Sequence, residues 1–198
     1  MSKIAILGSG RVGGGLATAL TRAGHTVTVA DRSPGAAADA ARTAQIVINA
    51  TPGDGSLERL TALRDHLRGK ILVDVSNATV DGPDGLPAAL IYPGSSLAEQ
   101  LQEALPETQV VKTLNTMLFS VMTAPATLTQ PPTAFLSGED PQAKQVVATL
   151  LADLGWHREW ITDLGGIATA RAPEAAILFV PPVIRSTGFA PFAISIAR

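Results

Sequence analysis

The sequence predicts an α/β fold in which a doubly wound, mainly parallel sheet is followed by a short C-terminal α/β extension. Three observations predict it. Short β-branched strands alternate with helical patterns, a glycine-rich turn separates the first strand from the first helix, and polar residues directly follow several strands. Strands that are apolar on both faces are typical of parallel sheets covered by helices on both sides. The combination predicts a Rossmann-type fold.

The elements follow from hydrophobic periodicity in chain order. Strands are predicted at 3–7, 26–30, 45–50, 71–75, 109–113, 133–136 and 156–161. Helices are predicted at 13–24, 36–44, 57–67, 96–105, 141–154 and 166–178. Three glycines and three prolines between Ala78 and Gly94 predict a surface loop there. Pro181 and Pro182 are expected to end the last helix.

The first helix follows a turn that matches G-x-G-x-x-G, which runs from Gly8 through Ser9, Gly10, Arg11 and Val12 to Gly13. The motif requires a strand before it and a helix after it, and both are predicted here. Free N–H groups at the start of the helix, together with the helix dipole, can then hold a diphosphate. We therefore predict that residues 1–116 form a dinucleotide-binding domain and that residues 117–198 pack on it as an extension at the substrate side, with a possible role in dimer contact.

The end of the second strand carries two opposing signals for the choice of nicotinamide. Asp31 stands where an acid bonds the ribose hydroxyls of NAD and repels a 2′-phosphate. Arg32 and Ser33 follow at once, and an arginine with a hydroxyl is typical of a 2′-phosphate receptor. We predict NADP(H), with Asp31 turned away or paired with Arg32. Because residues 32–45 have room for only one short helix, we also expect no strand outside the second one, which leaves the sheet edge near the adenine open.

Composition excludes several classes of function. The 15 basic and 17 acidic residues give a net charge of −2 without a block of either sign, which argues against a nucleic-acid partner. The chain has no cysteine, hence no disulfide, thiolate metal site or cysteine nucleophile. No signal segment is recognised and no apolar stretch approaches the roughly 20 residues that span a bilayer. We expect a soluble, cytoplasmic protein with no membrane partner and no metal.

Later motifs add a resemblance. The chain is similar to the NADPH-dependent reductases of 8-hydroxy-5-deazaflavin, coenzyme F(420), and their relatives. The likeness rests on the glycine turn, on the segments Ser96 to Gln102 and Leu105-Pro106, on Val110-Val111-Lys112-Thr113-Leu114-Asn115-Thr116, and on Asp163-Leu164-Gly165 with Ala170-Arg171. The resemblance implies that Gly8 to Val12 hold the pyrophosphate and that Arg32 and Ser33 hold the 2′-phosphate. It also implies that Thr51 and Pro52 lie under the adenosine half, and that Asn77, Asn115 and Thr116 approach the nicotinamide.

The resemblance also implies the chemistry: hydride transfer between NADPH and a small acceptor, with oxidised coenzyme F(420) or a related flavin-like molecule as the expected acceptor and co-substrate. Such a transfer needs proximity and a dry site more than an acid or base, so no catalytic residue is nominated. Lys112, Arg171 and Arg185 are candidate cations for an anionic acceptor tail. Met117, Leu118, Phe119 and Met122 are candidates for a ring pocket, with core packing as the alternative.

Two other functions stay open at this point. One is an NADPH-dependent imine or ketone reductase, which needs a proton donor such as Tyr92 or Asp163 near the nicotinamide. The other is a non-catalytic NADP(H)-binding sensor or regulatory protein. The apolar segment from Ile177 to Ile184 is a candidate contact of a symmetric homodimer.

Overall fold

A computed structural model describes residues 1–33 and 35–197, so Pro34 and Arg198, which fall inside the two predicted domains, lie outside the described residues. Among the described residues, seven strands form one sheet in the order β2-β1-β3-β4-β7-β8-β9, and β5 with β6 forms a separate antiparallel hairpin. The strands are β1 (Lys3–Leu7), β2 (Thr26–Ala30), β3 (Ile46–Asn49), β4 (Ile71–Asp74), β5 (Thr79–Asp81), β6 (Pro87–Leu90), β7 (Gln109–Lys112), β8 (Ala134–Ser137) and β9 (Ile161–Gly165). All neighbours in the large sheet are parallel except β7 and β8. The predicted α/β, mainly parallel, Rossmann-type fold is confirmed.

Helices cover both faces of this sheet, and a hydrophobic core lies on each side. The α-helices are α1 (Arg11–Arg22), α2 (Ala36–Thr43), α3 (Ser56–Thr61), α4 (Arg64–Leu67), α5 (Leu97–Ala104), α6 (Phe119–Met122), α7 (Pro141–Asp153), α8 (Arg171–Ala175) and α9 (Val180–Thr187). Short 3-10 segments lie at Pro125–Thr127, Arg158–Trp160, Ile167–Ala170 and Ala176–Phe179. Strands β8 and β9 extend the large sheet, and the division of the chain at residue 116 stays a prediction.

The sheet begins at β2, which pairs with β1 in register from Lys3 opposite Thr26 to Leu7 opposite Ala30. Within the described residues no strand lies outside β2, as expected from the short connection between β2 and β3. Val29 on this strand is accordingly 40% exposed. The open edge follows because the described part of the connection between β2 and β3 holds one eight-residue helix, α2, and no strand.

The region predicted as a loop between Ala78 and Gly94 instead contains the β5–β6 hairpin, so that prediction was wrong. Its glycines and prolines build the turn between the two strands: Gly82 donates to the Leu86 carbonyl at 2.8 Å, and Gly85 has a φ of 72°. The strand predicted at 156–161 was also misplaced. Trp156 turns inward and donates from its indole nitrogen to the Met122 carbonyl at 3.0 Å, and pairing begins only at Ile161.

The last predicted helix was too short. Helical segments join without a break over Ile167–Thr187, which we call the C-terminal helical run. Pro181 and Pro182 do not end it because they occupy the first turn of α9, where a missing N–H is tolerated. In the part of the chain that the structure describes, this run is long and apolar enough, by length and composition, to cross a membrane. The expectation that no stretch approaches that length was therefore wrong, although length and composition alone are weak evidence, and the absence of a membrane partner stays a prediction.

One exposed clamp fixes this run to α5. Ser96 caps α5 by accepting from the Glu99 N–H at 3.1 Å, and its hydroxyl donates to the Glu99 carboxylate at 2.9 Å. Arg171 donates twice to the same carboxylate, at 2.7 Å from Nη2 and 2.9 Å from Nε. The predicted capping pair of Ser96 and Glu99 is therefore present and is completed by a cation from the run.

This clamp predicts a pH-dependent contribution to stability. The hydrogen bonds from Arg171 are the main cause that lowers the pKa of Glu99 below its usual range. The ionised form therefore stabilises the fold above the pKa of the unfolded chain, and the contribution is lost as the pH falls through the lower folded pKa. We expect Glu99→Gln to lower the free energy of unfolding by about 1 kcal/mol at neutral pH, with the difference vanishing in acid. Urea unfolding at several pH values measures it; Glu103→Gln, at an exposed site of α5, serves as control, and a pH-independent difference would contradict the prediction.

Candidate cofactor and acceptor site

The glycine turn sits at the carboxyl end of β1, between β1 and the start of α1. Gly10 is the N-cap of α1 and offers no side chain to cap it, so the first N–H groups of the helix are available to a ligand. A Cβ on Gly13 would lie 1.9 Å from the Gly8 carbonyl oxygen, whereas a Cβ on Gly10 would meet nothing within 4 Å. The turn thus packs tightly against its own strand and stays open on the side of the groove.

A groove of about 1390 Å³ runs across this turn. The groove lies at the ends of β1 and β3, where the strand order reverses because β2 lies on one side of β1 and β3 on the other. Ligands bind at this point in doubly wound folds. The predicted residues that line it are Gly8, Ser9, Gly10, Arg11, Val12, Asp31, Arg32, Ser33, Thr51 and Pro52. The structure therefore brings these ten predicted residues together, and the glycine cradle with its uncapped helix start fits a dinucleotide diphosphate.

The side chain of Asp31 is fixed by a hydrogen bond within the turn that follows β2. Its Oδ1 accepts from the Ser33 N–H at 2.9 Å. That bond is the main cause that lowers the pKa of the Asp31 carboxyl, so the group stays ionised at neutral pH. Two arrangements were expected for Asp31: turned away from Arg32 or paired with it. Within the described residues its carboxylate bonds the Ser33 backbone and not Arg32, so the first arrangement is the one present.

Arg59 also lines the groove and was not predicted from the sequence. Its guanidinium donates to the backbone oxygens of Pro52 and Asp54, the latter at 2.9 Å. These bonds fix the loop that follows β3, and they place a third arginine in the groove beside Arg11 and Arg32. The sequence signal was weak, because Arg59 lies on the exposed side of a short helix.

A second cavity, which we call the slot, has a volume of about 290 Å³ and adjoins the groove. The groove and the slot share Val12, Thr51, Pro52 and Phe119. The side chain of Arg11 lies over the Phe119 ring at 5.0 Å, at the junction of the two cavities. The two cavities therefore form one continuous cleft.

The three residues predicted to approach the nicotinamide, Asn77, Asn115 and Thr116, all line the slot. Asn115 donates to the Asn77 side-chain oxygen at 2.9 Å, and the Asn77 amide donates to the Asn115 carbonyl at the same distance. Leu114, just before them, has a φ of 59°, a left-handed conformation that costs a branched residue about 1–2 kcal/mol. This strained turn directs the chain after β7 across the end of β4.

Thr116 offers a polar atom without a partner. Its Oγ1 is buried and has no hydrogen-bond partner within the described residues. The hydroxyls of Ser76 and Thr51, which also line the slot, already bond Asp74 and Asn49. An unpaired buried hydroxyl is costly, so Thr116 is available to bond a ligand in the slot.

The remainder of the slot wall is apolar. Met117, Leu118, Phe119 and Met122 all line it, and Met117 and Met122 also belong to a hydrophobic core. That this segment forms a ring pocket stays a prediction. The opposite wall comes from the C-terminal helical run and the tail that follows it, with Ala176, Ile177, Phe179, Val180, Phe192 and Ile194. No charged side chain is among the described residues that line the slot.

Comparison with known proteins decides the family. Residues 3–56 match the family of coenzyme F(420)-dependent NADP oxidoreductases. The crystal structure of a protein from Arthrobacter sp. FB24, assigned as an F(420)-dependent NADP reductase, is 39% identical, with a TM-score of 0.91 and 100% of both chains covered. The chain belongs to the F(420)-dependent NADP oxidoreductase family. The resemblance found in the sequence is therefore confirmed, and the predicted class, an NADP-dependent oxidoreductase, is the class of this family.

Two curated relatives are larger than this chain. The F(420)-dependent NADP reductase of Methanocaldococcus jannaschii is 29% identical over 140 residues, which are 69% of this chain and 60% of that protein. The metalloreductase STEAP3 of Rattus norvegicus is 30% identical over 194 residues, which are 91% of this chain and 37% of that protein. The chain thus spans less than two thirds of the length of both.

The three cations that were candidates for holding an anionic acceptor tail are all paired with carboxylates. Lys112 is buried and bonds Asp74 and Glu174, Arg171 clamps Glu99, and Arg185 donates to Asp84 at 2.9 Å. None of the three lines the slot. The hypothesis that they bind a tail has no support from their positions.

Proposed function

We propose that this chain transfers hydride between NADP(H) and a small acceptor, with oxidised coenzyme F(420) or a related flavin-like molecule as that acceptor. The observation that carries the proposal is the continuity of the groove and the slot, which share Val12, Thr51, Pro52 and Phe119. The glycine turn would hold the diphosphate of a dinucleotide, and the residues at this junction would hold its nicotinamide half. The apolar slot would then hold a flat acceptor ring beside it.

The residues act by binding, orienting and excluding water. When bound, NADPH supplies a hydride from C4 of its nicotinamide to the acceptor, which takes up a solvent proton to complete a two-electron reduction. The N–H groups at the start of α1 hold the diphosphate, and Arg32 with Ser33 holds the 2′-phosphate. Thr116 would donate to a polar group of the nicotinamide, which it is predicted to approach together with Asn77 and Asn115. The methionines and phenylalanines keep the slot dry, which favours transfer between two stacked rings.

The imine- or ketone-reductase alternative needs a proton donor beside the nicotinamide. Tyr92 and Asp163 were its candidates, and neither lines the slot. Asp163, on β9, instead accepts from Lys144 at 2.8 Å. No described residue of the slot is a histidine, tyrosine or carboxylate. We therefore do not propose a catalytic acid or base.

The test is to mix the purified protein with NADPH and each of three acceptor classes: oxidised deazaflavin, cyclic imines and ketones. We expect loss of the deazaflavin absorbance with matching oxidation of NADPH. Reduction of imines or ketones alone would support the alternative enzyme. Tight NADPH binding without consumption of any acceptor would support the sensor hypothesis. The cytoplasmic location and the homodimer through residues 177–184 stay predictions, the latter checked by light scattering.

No charged side chain is among the described residues that line the slot, so we expect the anionic tail of an acceptor to have little effect on kcat/KM. The three cations considered for such a tail, Lys112, Arg171 and Arg185, are already paired with carboxylates. We expect kcat/KM for a deazaflavin with its anionic tail to lie within about fivefold of the value for the tail-free ring, at moderate salt. Steady-state kinetics with both acceptors measure the ratio. A preference of 100-fold for the tailed form would contradict the prediction.

A further inference from the structure

A row of buried polar residues crosses the carboxyl edge of the sheet. Asn49, Asp74, Lys112 and Ser137 are register partners on β3, β4, β7 and β8, and each is at most 1% exposed. Four adjacent polar residues in the interior of a parallel sheet need specific partners. The row lies directly below the residues that enter the slot.

Lys112 is the centre of this row. Its Nζ lies 2.7 Å from Asp74 Oδ2 and 2.9 Å from Glu174 Oε1, and it donates to the Ser76 carbonyl at 2.5 Å. Burial lowers the pKa of Lys112, but the two carboxylates outweigh burial and raise that pKa, so the ammonium stays charged. Ser76 lines the slot, and its hydroxyl donates to Asp74 Oδ1 at 2.8 Å. The floor of the slot is thus fixed by the same network.

Glu174 connects the network to the opposite wall. Its carboxylate accepts from the N–H groups of Leu97 and Ala98 at 2.8 Å and 3.1 Å, and so caps α5 from another helix. Glu174 is 4% exposed and lies in the C-terminal helical run. The next turns of the run supply Ala176, Ile177, Phe179 and Val180 to the slot. Beside the exposed clamp of Arg171 on Glu99, the buried Glu174 therefore joins the start of this wall both to α5 and to Lys112.

We propose that Lys112 and Glu174 are positioning residues, whose ion pair holds the C-terminal helical run against Ser76 and so sets the width of the slot for the acceptor ring. The inference rests on the proposed function. A buried ion pair can often be replaced by apolar residues without loss of stability, so stability alone does not account for this pair. The contacts of Glu174 with Lys112 and with the start of α5 favour a geometric role. Acceptor binding is the property it controls most, because the diphosphate and the 2′-phosphate are assigned to the groove, whose lining residues all precede residue 120.

The test compares Glu174→Gln with Arg171→Met. The first removes the buried charge with little change in volume, and the second breaks the exposed clamp between the same run and α5. We expect Glu174→Gln to raise the acceptor KM about 10-fold or more and to leave the dissociation constant of NADPH within about twofold. We expect Arg171→Met to leave both values unchanged. Hydrogen exchange should become faster in residues 176–187 of Glu174→Gln and stay unchanged in β1 and β3.

Glu174→Asp keeps the charge and provides a second variant. An acceptor KM between those of the wild type and Glu174→Gln supports the positioning role. Wild-type KM values in both Glu174 variants, or equal changes in acceptor and NADPH binding, would overturn it. If the wild type reduces no acceptor, the proposed function fails, and unchanged exchange in residues 176–187 of Glu174→Gln would then overturn the positioning role separately.

Discussion

Gly13→Ala is expected to abolish NADPH binding at concentrations that saturate the wild type. The added Cβ would lie 1.9 Å from the Gly8 carbonyl oxygen and 3.3 Å from the Ile6 side chain. Both contacts involve the strand and turn that position the diphosphate site, and a backbone oxygen cannot move aside as a side chain can. We expect a loss of affinity of at least about 100-fold and a fall of about 2–3 kcal/mol in the free energy of unfolding.

Gly15→Ala is the matched control, two residues further along the same helix. A Cβ there meets nothing within 4 Å. Because alanine favours a helix over glycine, we expect Gly15→Ala to raise the free energy of unfolding by about 1 kcal/mol and to bind NADPH normally. Isothermal titration and urea unfolding of both variants measure these effects. NADPH affinity of Gly13→Ala within about threefold of the wild type would contradict the role assigned to this contact.

Local sequence patterns predicted most strands of the large sheet. They failed where contacts between distant parts of the chain determine the secondary structure. The strand before the glycine turn and the helix after it are specified by neighbouring residues, so both were predicted. Pro181 and Pro182 looked like a stop, but they occupy a helix start that only the preceding 3-10 turn creates. The β5–β6 hairpin has three- and four-residue strands, and its proline and glycine content resembles that of a loop.

The candidate site also contains some residues that local sequence predicts and others that depend on distant contacts. The residues that follow strand ends were predicted because every parallel strand delivers its next residues to one edge of the sheet. Lys112 was noticed only as a candidate cation for an acceptor tail, because its partners in the structure are Asp74, 38 residues earlier, and Glu174, far later in the chain. Glu174 looks like a surface residue among alanines, and only the approach of α8 to α5 buries it. Residues that act through distant partners have no local signal in a single sequence.

Arg32 should determine which nicotinamide dinucleotide this protein binds. It lines the groove beside Ser33, and the neighbouring carboxylate of Asp31 is bonded to the Ser33 N–H instead of neutralising the guanidinium. A charge-assisted bond to a 2′-phosphate contributes about 1.5–3 kcal/mol. We therefore expect Arg32→Ala to raise the dissociation constant of NADPH about 10- to 100-fold and to change that of NADH by less than about threefold.

Arg32→Glu should reverse the preference, because its carboxylate repels the 2′-phosphate and can accept from a ribose hydroxyl. Arg42→Ala is the control, since Arg42 pairs with Asp39 at 2.6 Å on the neighbouring helix and does not line the groove. Fluorescence titration with both nucleotides at two salt concentrations measures the effect, and the wild-type preference for NADPH should weaken as salt screens the phosphate contact. An equal loss of NADPH and NADH affinity in Arg32→Ala would mean that Arg32 supports the groove as a whole, and Asp31 would then favour NADH.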